Sequence, residues 1–191
     1  MTIKTKLIDT FYHVATSSRK IRNIFTPLGA LFFLLLVSSL VLIALQVDKL
    51  LGTVGILPGW ISVVFAPFFF LAAAILIGWS VLTFFRSKGT PVPFNPPPRL
   101  VTIGPYAYVR NPMLTGVFAL LFGFGALLDS FSLLVIITPL FILAMVLELK
   151  TIEEPELVKR LGQDYIEYRK RIPMFFPGLG KILKNRKKPL T

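Results

Sequence analysis

A chain of 191 residues that is 54% hydrophobic and only 16% charged, with a mean hydropathy of +0.74, cannot present the charged surface, about a quarter of all residues, that a soluble domain carries. Cysteine is absent, which excludes disulfides, thiolate nucleophiles and Cys-ligated metals; one histidine, His13, in a polar N-terminal stretch, excludes a His-based triad and a multi-His site, so no metal is expected. The net charge of +12 does not point to nucleic acid, because nearly all the bases flank apolar runs, where they meet anionic headgroups.

Residues 1–26 carry Lys4, Lys6, Arg19, Lys20 and Arg22 but no compact apolar stretch followed by a small-residue cleavage site. They read as a cytoplasmic amphipathic segment rather than a cleavable leader. A bilayer core needs about 20 apolar residues per helix. Residues 27–47 supply the first run, with Pro27 where a first helical turn tolerates it, and 60–85 the second, with Trp60 at an interfacial position. The stretch 87–103 is too proline-rich for helix or central strand and reads as an ordered or semi-rigid loop, a solvated polyproline linker being the plainer alternative. A third run, 113–128, is short for a full span, and its Gly116, Gly123 and Gly125 let a neighbouring helix approach closely. Only Asp129-Ser130 separates it from the fourth, 131–149, which predicts a tight antiparallel hairpin.

Beyond the fourth run, Pro155 suits a helix first turn, Gly162 a helix stop, and Asp164 the cap of a second short helix. Leu157, Val158 and Leu161 form an apolar stripe that predicts a helix lying against the membrane face. The tail 178–191, with Lys181, Lys184, Arg186, Lys187 and Lys188, reads as a basic segment drawn to headgroups. Charge placement tests the count of spans. Five Lys/Arg lie in the N-terminal segment, four in 86–110 and eleven from Lys150 onward, leaving only Lys49, beside Asp48, in the opposite loops. Four spans with both termini in the cytoplasm fit this asymmetry. The expectation is an all-α, multi-pass integral membrane protein, assigned to a prokaryotic plasma membrane: 1–26, two spans in 27–85, a core in 86–177 and the tail.

Two clusters could carry chemistry. One is Gly104-Pro105-Tyr106-Ala107-Tyr108-Val109-Arg110-Asn111-Pro112, a turn with two tyrosines and an Arg-Asn pair at the start of a span. Its plainer reading is a positive-inside flank with interfacial aromatics. The other is Glu153-Glu154, adjacent carboxylates at a membrane boundary, whose plainer reading is solvation at a helix N-terminus. The hairpin returns both clusters to one face. There Arg110 and Asn111 suit a carboxylate, and the glutamates suit an ammonium or ribose hydroxyls, so a zwitterionic, cationic small molecule fits the pair of clusters.

Gly104, Tyr106, Arg110, Asn111, Pro112 and Gly116, followed by Glu153, Glu154, Leu161-Gly162, Tyr165, Tyr168, Arg171 and Pro173, reproduce an ordered pattern. It resembles that of the isoprenylcysteine carboxyl methyltransferase family and its phospholipid methyltransferase relatives, over roughly residues 89–177. The resemblance implies S-adenosylmethionine at the cytoplasmic end of the C-terminal helices, held by Arg110, Asn111, Pro112, Glu153 and Glu154, with Tyr106 walling its pocket. It implies that Tyr165, Tyr168 and Arg171 close the site and face a lipophilic or prenylated acceptor entering from the bilayer, whose carboxylate is methylated. The chain departs from the pattern at Asn111, where eukaryotic members have histidine, and at Leu114, where tyrosine is frequent. The second departure bears on acceptor identity. Phospholipid amine N-methylation, NADPH-dependent reduction and a non-catalytic scaffold or transporter are the alternatives; almost no ionisable residue lies within the four runs, which disfavours transport.

Overall fold

A backbone in lipid has no water to bond, so uninterrupted apolar runs must satisfy their own N–H and C=O groups as helix. The computed structural model describes residues 3–16, 19–53, 55, 58–90, 96–97 and 99–177, and among them all regular structure is helical. Seven α-helices follow one another: α1 (Ile3–Ala15), α2 (Arg19–Leu51), α3 (Gly59–Arg86), α4 (Pro112–Leu127), α5 (Thr138–Glu148), α6 (Glu154–Leu161) and α7 (Gln163–Arg171). A 3₁₀ turn, Gly104–Ala107, precedes α4. Among the described residues three stretches are long and apolar enough to cross a membrane: Pro27–Leu51, Ser62–Arg86 and Leu133–Leu161. At 16 residues, α4 extends about 24 Å, short of the roughly 30 Å hydrocarbon core, as its sequence suggested.

The centre of the molecule is α4. Val117, Phe118 and Leu121 pack with Val37 and Ala44 of α2 and with Leu133 and Phe141 to form the core. The most extensive helix contact is that of α3 with α4. Glycine spacing explains it: a Cβ at Gly116 would come within 2.7 Å of Ile77 Cγ1, and one at Gly123 within 3.0 Å of the Phe70 ring. Both pairs are seven residues apart and run in opposite order, so the two helices are antiparallel along a glycine seam. The Ser62 hydroxyl continues it, donating to the Ala126 carbonyl at 2.6 Å. Gly125 faces the other way, against Leu134. Outside this core, Phe32, Leu35 and Leu42 of α2 and Val63, Phe68, Leu71 and Ile75 of α3 are exposed, a surface suited to acyl chains.

Several sequence expectations change. The first membrane helix, α2, begins at Arg19, so Pro27 lies inside it, where one lost backbone bond is tolerated in a long membrane helix. The same helix runs on to Leu51, which places Asp48 in its last turn rather than in a loop. Asp48 is only 2% exposed. Its Oδ1 accepts from the Thr53 hydroxyl and from the Ser132 N–H, both at 2.8 Å, and its Oδ2 accepts from the Ser130 hydroxyl. One carboxylate from α2 thus caps the helix opened by the predicted hairpin, satisfying the Ser132 N–H directly and orienting the Ser130 hydroxyl that accepts from the Leu133 N–H. The hairpin turns at Asp129, in the left-handed region at φ +51°.

After the hairpin the chain does not stop at the membrane boundary as expected. It stays helical through Leu161, with wide π turns at Leu133–Ile137 and Leu149–Glu153. Each ends just before a proline, Pro139 or Pro155. A proline ring clashes with the carbonyl four residues back and offers no N–H; widening the turn holding that carbonyl keeps the helix continuous. Gly162, at φ +61°, ends α6 as predicted and is also the N-cap of α7, so Asp164 makes no side-chain cap there. Helix α6, bearing Leu157, Val158 and Leu161, has α1 as a neighbour: Lys159 bonds Asp9 at 2.7 Å and lies 4.5 Å from the centre of the Tyr12 ring. Part of the proline-rich stretch (residues 91–95 and 98) and the basic tail lie outside the described residues.

Candidate functional site

The two sequence clusters meet. Pro112 starts α4 at a buried position, its lost N–H costing nothing there, and this fixes Arg110 and Asn111 at the mouth of that helix. The backbone before it is held from the far end of the chain: the Arg110 N–H donates to the Pro173 carbonyl at 2.8 Å and the Asn111 N–H to that of Met174 at 3.1 Å. Phe175 anchors this strap, its ring 5.4 Å from that of Phe118 in the core. The continuous helix delivers Glu154 to the same place. Arg110 Nη1 donates to Glu154 Oε1, and both side chains are close to nine-tenths buried. Arg110 Nη1 also points to the Tyr165 hydroxyl at 3.4 Å. The other carboxylate oxygen, Oε2, accepts from Arg169 Nη1 at 3.3 Å.

Three tyrosines wall this ion pair. Tyr106 is buried on the 3₁₀ turn with Phe84 edge-on at 5.0 Å, and its carbonyl accepts the Tyr168 hydroxyl at 2.7 Å. Tyr165 and Tyr168, one α7 turn apart, are both buried. Burial, chiefly, pushes all three phenols up, Tyr165 to about 12, because a phenolate would lose its hydration there; nearby carboxylate charge adds to the effect on Tyr106 and Tyr165. Glu153 is part of that charge. These phenols are donors and walls at neutral pH, not bases.

The predicted residues therefore separate. Tyr106, Arg110, Glu153, Glu154, Tyr165 and Tyr168 converge, with Asn111 and Pro112 at the rim. Arg171 is on the exposed side of α7, 3.3 Å from Glu167, and the structure does not bring it to this cluster. The residues that reading the sequence overlooked are Arg169, Phe84 and Phe175. Arg169 is indistinguishable in sequence from its neighbours Lys170 and Arg171; only the phase of α7 aims it at Glu154. Phe175 carried a signal, an aromatic pair next to Pro177 directly after the polar helix α7.

The arrangement can bind a zwitterion. Arg110 Nε is buried with no hydrogen-bond partner among the described residues, an orphan donor adjoining a carboxylate that faces two guanidiniums. A ligand carboxylate would satisfy the first and a ligand ammonium would suit the second. That donor set fits the amino-acid end of S-adenosylmethionine.

The chain is 34% identical over 80 residues to the nickel-cobalt-cadmium resistance protein NccN of Alcaligenes xylosoxydans xylosoxydans, covering 42% of this chain and 37% of that protein. It is 27% identical over 124 residues to a methanethiol S-methyltransferase of Crocosphaera subtropica, covering 64% of this chain and 45% of that enzyme. The chain thus spans less than half the length of these curated relatives. No solved structure matches it. The family model for phospholipid methyltransferases matches residues 51–164, which include the glycine seam, Arg110 and the Glu153–Glu154 pair, and the chain belongs to that family.

Proposed function

We propose that this protein is a membrane-embedded methyltransferase that uses S-adenosylmethionine, with residues 86–177 as its core and both termini in the cytoplasm. The observation that carries the reading is the buried Arg110–Glu154 pair with its orphan Nε donor, set at the end of a membrane helix. A buried ion pair is an expensive way to hold a fold together, whereas a ligand of matching polarity gives it a use. Arg110 would hold the cofactor's carboxylate, Glu154 its ammonium, and Tyr106 would wall the pocket, with Asn111 and Glu153 completing it. S-adenosylmethionine, when bound, supplies an electrophilic methyl group on a sulfonium. The protein's part is to orient and to exclude water, for which the three buried tyrosines and the strap over Arg110 are suited; orientation alone contributes about 7–11 kcal/mol to such displacements.

The acceptor reading follows from proton chemistry. Tyr165 holds its proton up to about pH 12, and both oxygens of Glu154 are engaged. An acceptor that is already ionised requires no base, which favours a carboxylate on a lipophilic, prenyl-like molecule arriving from the bilayer. The second reading is methylation of a phospholipid amine or of a thiol. Support for it comes from the family and from the thiol-methylating relative; Glu153 is then the carboxylate left to take an amine's proton. Calorimetry with detergent-purified protein tests the cofactor: S-adenosylmethionine and S-adenosylhomocysteine bind the native chain, and Glu154→Gln or Arg110→Gln weakens both by about ten- to hundredfold. No binding to folded native protein overturns the proposal, and the mass of the methylated product identifies the acceptor.

A further inference from the structure

Glu154 has two guanidinium partners of different kinds. Arg110 is buried, donates to Oε1 and has its backbone fixed by the Pro173–Met174 strap. Arg169 reaches Oε2 at a looser 3.3 Å from the C-terminal turn of α7, and its side chain is 42% exposed. A buried carboxylate is costly unless each oxygen is met, so some cation must face Oε2 when no ligand does. A ligand ammonium seeking Glu154 finds Oε1 taken by the fixed, buried arginine. The accessible oxygen is the one that Arg169 occupies.

We propose that Arg169 is an exchangeable latch: it occupies Glu154 Oε2 in the ligand-free protein and is displaced into solvent by the ammonium of the cofactor. Arg169 is thus a positioning residue that competes with the cofactor rather than binding it. This rests on the cofactor reading above. The direction of the effect is unusual for an arginine beside a binding site, because its removal strengthens binding. A partly exposed ion pair contributes well under the worth of a buried one, so relief of the competition tightens binding by about two- to five-fold. Part of that gain appears as slower release, since re-formation of the Arg169–Glu154 contact helps expel the ligand. The Glu156–Arg160 pair on α6, with a 2.8 Å contact, is a separate partnership.

The test is calorimetric binding of S-adenosylhomocysteine to the full chain, native and Arg169→Gln, with release timed by displacement with excess unlabelled ligand. Arg169→Lys is the second variant, keeping charge but losing the planar fork. Expected are tighter binding and slower release for Arg169→Gln, an intermediate value for Arg169→Lys, and a slightly lowered melting temperature for ligand-free Arg169→Gln. If native protein binds and Arg169→Gln binds equally or more weakly, the latch is overturned while the cofactor reading stands. If native, folded protein does not bind at all, both fall together.

Discussion

At the scale of single residues, the site is governed by what burial does to charge. Arg110 and Glu154 offset each other's desolvation, and Tyr165 keeps its proton because burial, with the charge of Glu154 and Glu153, outweighs what Arg110 offers a phenolate. This has a consequence for stability. The phenol titrates near 10 in an unfolded chain and at about 12 in the folded one, so the folded state holds its proton longer. The contribution is intact below pH 10 and is lost as pH climbs from about 10 towards about 12. Alkaline unfolding followed by tryptophan fluorescence should therefore steepen over that window, and Tyr165→Phe should flatten it; an identical profile for the two proteins would show that the phenol is not the group responsible. Arg110 and the Glu pair were legible from residue type and order. Arg169 was not, because three consecutive bases at the end of α7 differ only in helical phase.

At the scale of elements, close approach decides the architecture. The α3–α4 seam exists because Gly116 and Gly123 present no Cβ to Ile77 and Phe70. Gly116→Ala should destabilise the protein by about 1–3 kcal/mol, since Ile77 meets the new methyl with its backbone N as well as its side chain. Gly78→Ala, in the same helix pair but with open space around it, is the control and should be neutral or mildly stabilising. Thermal unfolding in detergent compares them, and equal melting temperatures would refute the seam. Sequence revealed that the glycines permit a close neighbour, but not whether it was α3 or the hairpin partner; Gly125 in fact serves the latter. The two wide turns belong to this scale too. Pro155 read as the first turn of a new helix and stands in the first turn of α6, which the π turn at Leu149–Glu153 joins to the span.

At the scale of the whole molecule, the proposed topology has a direct check. The chain contains no cysteine, so single cysteines can be introduced without background. Lys88→Cys should react with a membrane-impermeant maleimide only after the cell is opened, and Asp129→Cys from outside in intact cells. The reverse pattern would invert the topology and place the Arg110–Glu154 site on the wrong side for a cytoplasmic cofactor. Between those faces the molecule is tied at both ends of α4, by Asp48 at the hairpin and by the Phe175 strap at the site. Neither tie is local in sequence.

Composition and the spacing of apolar runs determined the helical class, the approximate spans and the asymmetry of charge, because lipid imposes the same demand on every residue of a span regardless of its neighbours. Ordered polar residues also marked both halves of the site. Only the tertiary structure decided that Asp48 caps another helix, that Arg169 and not Arg171 reaches Glu154, and that residues 173–175 close over Arg110. These depend on helical phase and on contacts between segments more than 60 residues apart, as between Arg110 and Pro173. Such contacts are selected by packing and by the satisfaction of buried polar groups, which no local pattern records.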